Sequence, residues 1–194
     1  MNASGRPARQ NEVRIVGGQW KRSKLPVADV PGLRPTPDRV RETLFNWLGH
    51  DLAGWRCLDV FAGSGALGFE AASRGAAEVV LIERERKLAA SLSAVKQRLD
   101  AVHLRVENAD ALAWMARCAP ASFELIFIDP PFDAALVEPA LAAAARLVVV
   151  GGFVYVESGA ALEPQAGVAT GFVPHRQGRA GAVHFQLLQR TDPG

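Results

Sequence analysis

Apolar residues fall into two alternating kinds of run along this chain. Short, near-continuous runs occupy residues 57–61, 79–82, 102–106, 123–128 and 153–156. Between them, apolar positions recur at helical spacing over 66–73, 86–99, 111–118 and 134–147, the first closed by Gly75. Buried strands alternating with helices predict a parallel sheet covered on both faces. The C-terminal part departs from this rhythm. Residues 172–174 and 183–188 have only a short link between them, which predicts a hairpin adding antiparallel edge strands.

The region before the first long strand reads differently. Residues 13–16 and 24–27 flank Gly17-Gly18 as the two strands of a small hairpin, with Trp20 between them. A Pro-rich connector, residues 31–37, follows. Thr36 is the expected N-cap and Pro37 the first helical residue. That helix carries Val40, Leu44, Phe45 and Leu48 on one face and ends near Gly49 or Gly54. Three parts are expected: a disordered basic tail over 1–12, a hairpin extension over 13–30, and one α/β domain over 31–190.

Composition narrows the class. The chain has 194 residues and is 49% hydrophobic, enough for one domain with a full core. Cys57 and Cys118 have no metal-ligand spacing and read as reduced packing residues. No metal site is expected. No apolar segment reaches the length of a membrane span, and the first ten residues lack the apolar core of a signal peptide. A cytoplasmic monomer with no membrane partner is expected. Charge is uneven: residues 1–41 hold nine Arg or Lys against Glu12, Asp29 and Asp38, although the whole chain is only +2. A basic arm on a mildly acidic body suggests a polyanionic partner, with Arg14, Lys21, Arg22 and Lys24 as its candidate contacts.

The chemistry lies at strand ends. Asp129-Pro130-Pro131-Phe132 follows the run 123–128. Asp129 and the Pro130 carbonyl can accept the two hydrogens of an exocyclic amine. The prolines stiffen the turn, and Phe132 offers a face on which a base can stack. Upstream, Asp59 precedes a turn, residues 61–68, in which Gly63, Gly65 and Gly68 match GxGxxG. Such a turn holds a nucleotide at the carboxyl ends of strands, and dinucleotide enzymes share it. Glu83 is placed to accept both hydroxyls of a ribose. Asp110 can accept from an adenine amino group while the Ala111 N–H donates to the ring, and Asp110 can equally cap a helix. An acid at the mouth of the glycine turn suits an amine better than a pyrophosphate. This favours S-adenosylmethionine and methyl transfer over hydride transfer.

Taken together, the segments 14–18, 33–36, 38–48, 58–68, 129–132 and 178–185 resemble the RsmD family of bacterial 16S ribosomal RNA guanine-N2 methyltransferases. The resemblance covers roughly residues 13–188. It implies a class I methyltransferase fold, a Rossmann-like sheet of seven mostly parallel strands whose last strand is antiparallel. It implies S-adenosylmethionine as methyl donor and a guanine in a loop of small-subunit ribosomal RNA as acceptor, within a partly assembled subunit. Carried over, Asp59, Phe61, Gly63 and Gly65 hold the methionine part, Glu83 the ribose, and Asp110 with Ala111 the adenine. Arg34 and Thr36 help close the site, and Asp129, Pro130 and Phe132 grip the base. Three alternatives stay open: methylation of another exocyclic amine (adenine-N6 in nucleic acid, or a protein amide), an NAD-dependent oxidoreductase, and a non-catalytic RNA-binding factor.

Overall fold

A computed structural model describes residues 12–27, 36–131, 134–160, 162 and 171–191. Two short strands, β1 (Glu12–Arg14) and β2 (Lys24–Pro26), pair antiparallel as the expected hairpin, with Glu12 in the strand rather than in the tail. The helix α1 (Asp38–Trp47) follows. Then come β3 (Arg56–Asp59), α2 (Ala66–Ser73), β4 (Glu78–Glu83), α3 (Arg86–Arg98), β5 (Leu104–Asn108) and α4 (Ala111–Arg117). The chain closes with β6 (Phe123–Ile128), a 3-10 turn (Ala134–Leu136) leading into α5 (Val137–Leu147), β7 (Val148–Ser158), β8 (Phe172–Ala180) and β9 (Val183–Arg190). Among the described residues no helix is long and apolar enough to cross a membrane.

The seven long strands form one sheet in the order β5-β4-β3-β6-β7-β9-β8. Strands β3 to β7 are mutually parallel, and β9 is antiparallel to both β7 and β8. Of the two expected antiparallel edge strands, then, only β9 is antiparallel to the parallel set; β8 runs with it again. Side chains alternate between two cores along each strand. On β6, Leu125 and Phe127 face one core with α1, α2 and the hairpin, whereas Ile126 and Ile128 face the other with α4 and α5.

Several boundaries differ from expectation for physical reasons. The strand expected over 102–106 starts two residues later, because residues 102 and 103 form a turn that leaves Val102 79% exposed. Strands β8 and β9 extend through polar residues such as Arg176, Gln177 and Arg179, where main-chain pairing rather than apolar alternation carries the strand. Thr36 is not the N-cap of α1. Pro37, with ψ at 147°, holds that position, and no side chain caps the helix. Cys57 and Cys118 are free thiols, as expected.

The hairpin is built into the body. Val13, Ile15 and Leu25 are buried in the core that also holds Leu92 and Val95 of α3. Val16 N–H donates to Glu70 at 2.8 Å, Trp20 N–H donates to the Ser73 hydroxyl at 2.9 Å, and that hydroxyl donates to the Gly17 carbonyl at 2.6 Å. Gly18 has φ of +72°, and a Cβ there would lie 1.8 Å from the Ser73 carbonyl oxygen. The hairpin therefore docks on α2 only because this position has no side chain.

Candidate active site

Sheet order converts scattered acids into a row. Asp110 follows β5, Glu83 ends β4, Asp59 ends β3, Asp129 follows β6, and Glu157 lies one residue before the end of β7. In the order β5-β4-β3-β6-β7 these five carboxyls stand side by side at the carboxyl ends of five neighbouring strands. Adjacent strands are about 4.8 Å apart, so the row spans roughly 19 Å, the length of an extended nucleoside with a side arm. Alternation adds a facing. Asp59, Glu83, Asp129 and Glu157 share parity with Cys57, Leu81, Phe127 and Tyr155, which belong to the core on the α1–α2 side. The register pairs Ile128 with Val156, so Asp129 and Glu157 are level.

Each predicted residue can be placed. Asp59 is buried and accepts from the Gly68 N–H at 3.0 Å. Gly68 is needed there for close approach, since a Cβ would lie 2.0 Å from Leu81 Cδ2. Gly65 takes the left-handed conformation, φ +76°, at the N-cap of α2. The Gly63 N–H donates to Glu83 Oε2 at 2.9 Å, and Glu85 N–H donates to Oε1 at 2.7 Å. Two backbone donors thus orient the Glu83 carboxylate. Phe61 is half-buried against the second core. Asp110 caps α4 by accepting from Ala113 N–H at 2.9 Å, and Ala111 is the first helical residue, with an N–H that has no acceptor within the helix. Asp129 and Pro130 are half-buried. Arg34 and Phe132 lie outside the described residues.

Thr36 joins the Asp129 end of the row. Its hydroxyl lies 2.8 Å from Glu157 Oε1 and 3.3 Å from Asp129 Oδ2, and the Tyr155 hydroxyl donates to Glu157 Oε1 at 2.8 Å. Glu157 and Tyr155 were not among the sequence candidates. The pattern that finds Glu157 is the repetition itself: four strands have an acid at or just past their ends, and Glu157 is the acid near the end of the fifth. Asn108 is another omission. Its amide donates to the carbonyls of Glu83 at 2.9 Å and Arg84 at 3.0 Å, tying β5 to β4 beside Glu83.

Crowding the acids in a poorly solvated cleft disfavours their charged forms. Burial pushes the Asp59 carboxyl up to about 7, against the hydrogen bond from Gly68, with Glu83 and Glu157 adding repulsion. Burial and then the charges of Glu157 and Asp59 hold Asp129 well above the usual carboxylate range. Burial also raises Glu157, opposed by its bonds from Thr36 and Tyr155 and by Arg41. An acid raised on folding contributes stability that is fully present below its unfolded value and is lost as pH rises through the folded one. For Asp59 that window runs from 3.8 to about 7. Asp59→Asn should therefore gain stability relative to the wild type between pH 4 and pH 8, by up to a few kcal/mol at pH 8. Urea unfolding at both pH values measures it, and an equal difference at both would refute a strained carboxyl.

The RNA-contact candidates lie elsewhere. Arg14, Lys21, Arg22 and Lys24 are exposed, and Lys24 pairs with Glu12 at 2.7 Å. At the hairpin tip, Trp20 stacks on His103 with ring centroids 6.0 Å apart. His103 directly precedes β5, so the tip is at the amino ends of the strands, opposite the carboxyl row.

Residues 13–189 fit the model of the family described as Conserved hypothetical protein 95. The chain belongs to this family, the RsmD family. Ribosomal RNA small subunit methyltransferase D of Escherichia coli K12 is 43% identical across 94% of this chain and 92% of its own length. The protein of the same name in Haemophilus influenzae is 44% identical across 70% of this chain and 72% of its own. A solved structure described as the putative methyltransferase yhhF from Escherichia coli superposes with a TM-score of 0.80 at 40% identity, covering 93% of this chain and 99% of that one. The fold of this RsmD-family chain is the class I methyltransferase fold.

Proposed function

We propose that this chain transfers a methyl group from S-adenosylmethionine to the exocyclic N2 of a guanine in a loop of 16S ribosomal RNA. The observation that carries this reading is the single row of carboxyls, in which Asp110, Glu83 and Asp59 lead into Asp129 at the carboxyl ends of neighbouring strands. The family's rRNA methyltransferases support RNA as the acceptor.

The residues fit the cofactor. Phe61, Gly63 and Gly65 of the turn take the methionine arm, and the Asp59 carboxyl accepts from its ammonium. Glu83 accepts from the ribose hydroxyls. Asp110 and the Ala111 N–H take the adenine edge, and Arg34 and Thr36 close the cleft. A pyrophosphate would meet this acid row with like charge, which disfavours the dinucleotide alternative. When bound, S-adenosylmethionine supplies a methyl carbon carried on positively charged sulfur.

The protein's own part is to hold the base. Guanine presents adjacent donors, N1–H and N2–H2, and the site offers acceptors: the free oxygen of Asp129 and the Pro130 carbonyl. Accepting both N2 hydrogens localises the nitrogen lone pair, which the ring otherwise delocalises. Fixed acceptors and positioning then lower the barrier without a metal or a covalent intermediate. A paired base cannot enter, so the target is unpaired or flipped, with Phe132 as its stacking face. Analysis of nucleosides by mass spectrometry after incubating the protein with unmodified 16S RNA tests the reading. N2-methylguanosine is the expected product; N6-methyladenosine in its place would refute the base assignment.

The basic hairpin residues contribute phosphate contacts far from the chemistry, so the RNA runs along the body from the tip toward the cleft. Replacing Arg14, Lys21, Arg22 and Lys24 together by Ala should weaken RNA binding and reduce the steepness of log K against log salt by up to about 3–4. An unchanged slope in filter binding would assign the hairpin a purely structural role.

A further inference from the structure

Three oxygen–oxygen contacts link four groups between α1 and the sheet: Tyr155 to Glu157 Oε1 at 2.8 Å, Glu157 Oε1 to Thr36 Oγ1 at 2.8 Å, and Thr36 Oγ1 to Asp129 Oδ2 at 3.3 Å. Each contact needs one hydrogen between its oxygens. The two hydroxyls supply one each. The third must be carried by a carboxyl, since otherwise one contact sets lone pair against lone pair in a cleft where Thr36 is 4% and Glu157 6% exposed. Two arrangements satisfy all three contacts. In one, Glu157 is protonated, donates to Thr36, and Thr36 donates to anionic Asp129. In the other, Asp129 is protonated, donates to Thr36, and Thr36 donates to anionic Glu157.

We propose that Glu157 is a positioning residue that holds one proton jointly with Asp129 through the Thr36 hydroxyl, and so delivers Asp129 to the base amine as an anion. This rests on the methylation reading of the same cleft. In the free protein the proton moves between the two carboxyls. A bound amine donates to Asp129 and stabilises its anion, so the proton settles on Glu157. As the nitrogen takes up a carbon substituent it sheds one proton, which Asp129 accepts. The pair then holds two protons, and one passes to water after the product leaves, restoring the starting state. Asp59 faces Asp129 from β3, and Arg41 faces Glu157 from α1. Both carboxyls are raised by burial, and Glu157 further raises Asp129, as a shared proton requires. Tyr155, fully buried, keeps Glu157 Oε1 pointed at Thr36.

Carbon-13 NMR of labelled Asp and Glu carboxyls in the ligand-free protein tests this without any substrate, with Asp129→Asn and Glu157→Gln assigning the signals. The wild type should titrate in two separated steps shared by both carboxyls, one proton being retained between them. In Glu157→Gln the upper step should vanish and Asp129 should titrate once, at lower pH. The amide stands in for protonated Glu157, so the acid limb of the kcat–pH profile should stay in place in the same variant, with KM for RNA unchanged. Two carboxyls titrating independently in the ordinary carboxylate range, or an Asp129 step unmoved by Glu157→Gln, would overturn the proposal. A failed nucleoside assay would overturn the methylation reading alone, because the titration does not depend on it.

Discussion

Asp129→Ala is expected to lower methyl transfer at least about a hundredfold, the usual cost of removing a hydrogen-bonding group fixed on the reacting centre. Affinity for S-adenosylmethionine should stay within a few-fold, because Asp59, Glu83 and Asp110 occupy other strands of the row. The protein should also remain folded. The Asp129 carboxyl is held well above its usual range by burial and by the charges of Glu157 and Asp59, so its removal relieves repulsion above neutral pH. A tritium transfer assay beside a calorimetric titration separates the two effects. Turnover within tenfold of the wild type would remove Asp129 from the chemistry.

Arg41→Ala is expected to cost about 3–5 kcal/mol of folding free energy, the range for breaking a buried ion pair from one side. Arg41 is fully buried. Its guanidinium reaches Asp38 at 2.5 Å, Glu70 at 3.5 Å and the Thr36 carbonyl at 3.2 Å. Glu70, itself fully buried, also takes Arg74 at 2.8 Å and the Val16 N–H at 2.8 Å. The network therefore ties the hairpin, α1, α2 and Thr36 together. Arg41→Lys should recover little of the loss, since a compact ammonium cannot reach all three acceptors of the planar fork. Urea unfolding measures both variants, and a loss under about 1 kcal/mol for Arg41→Ala would mean the network carries no stability.

Legibility followed the range of the interaction concerned. Residues 66–73 and 123–128 match α2 and β6 residue for residue, because apolar spacing and a closing glycine are local signals. The cap of α4 by Asp110 was legible for the same reason. The ends of β8 and β9 were not, since polar residues there are held by a partner strand. Thr36 looked like a helix cap in sequence because its hydroxyl type suits one. In the fold that hydroxyl faces Asp129, 93 positions away, and Glu157, 121 away.

The alternation of buried strands and helices, the glycine turn after Asp59 and the acid at or near the end of each parallel strand are properties of the chain as written. They arise from side-chain spacing and backbone freedom within a few residues. Which strand lies beside which, and which face each acid shares, came from burial across the whole sheet. Only that packing sets Glu157 level with Asp129, seals Arg41 against Glu70, and turns the basic hairpin tip to the end opposite the cleft. Free energy of burial is gained between residues distant in sequence, and spacing along the chain does not encode which of them meet.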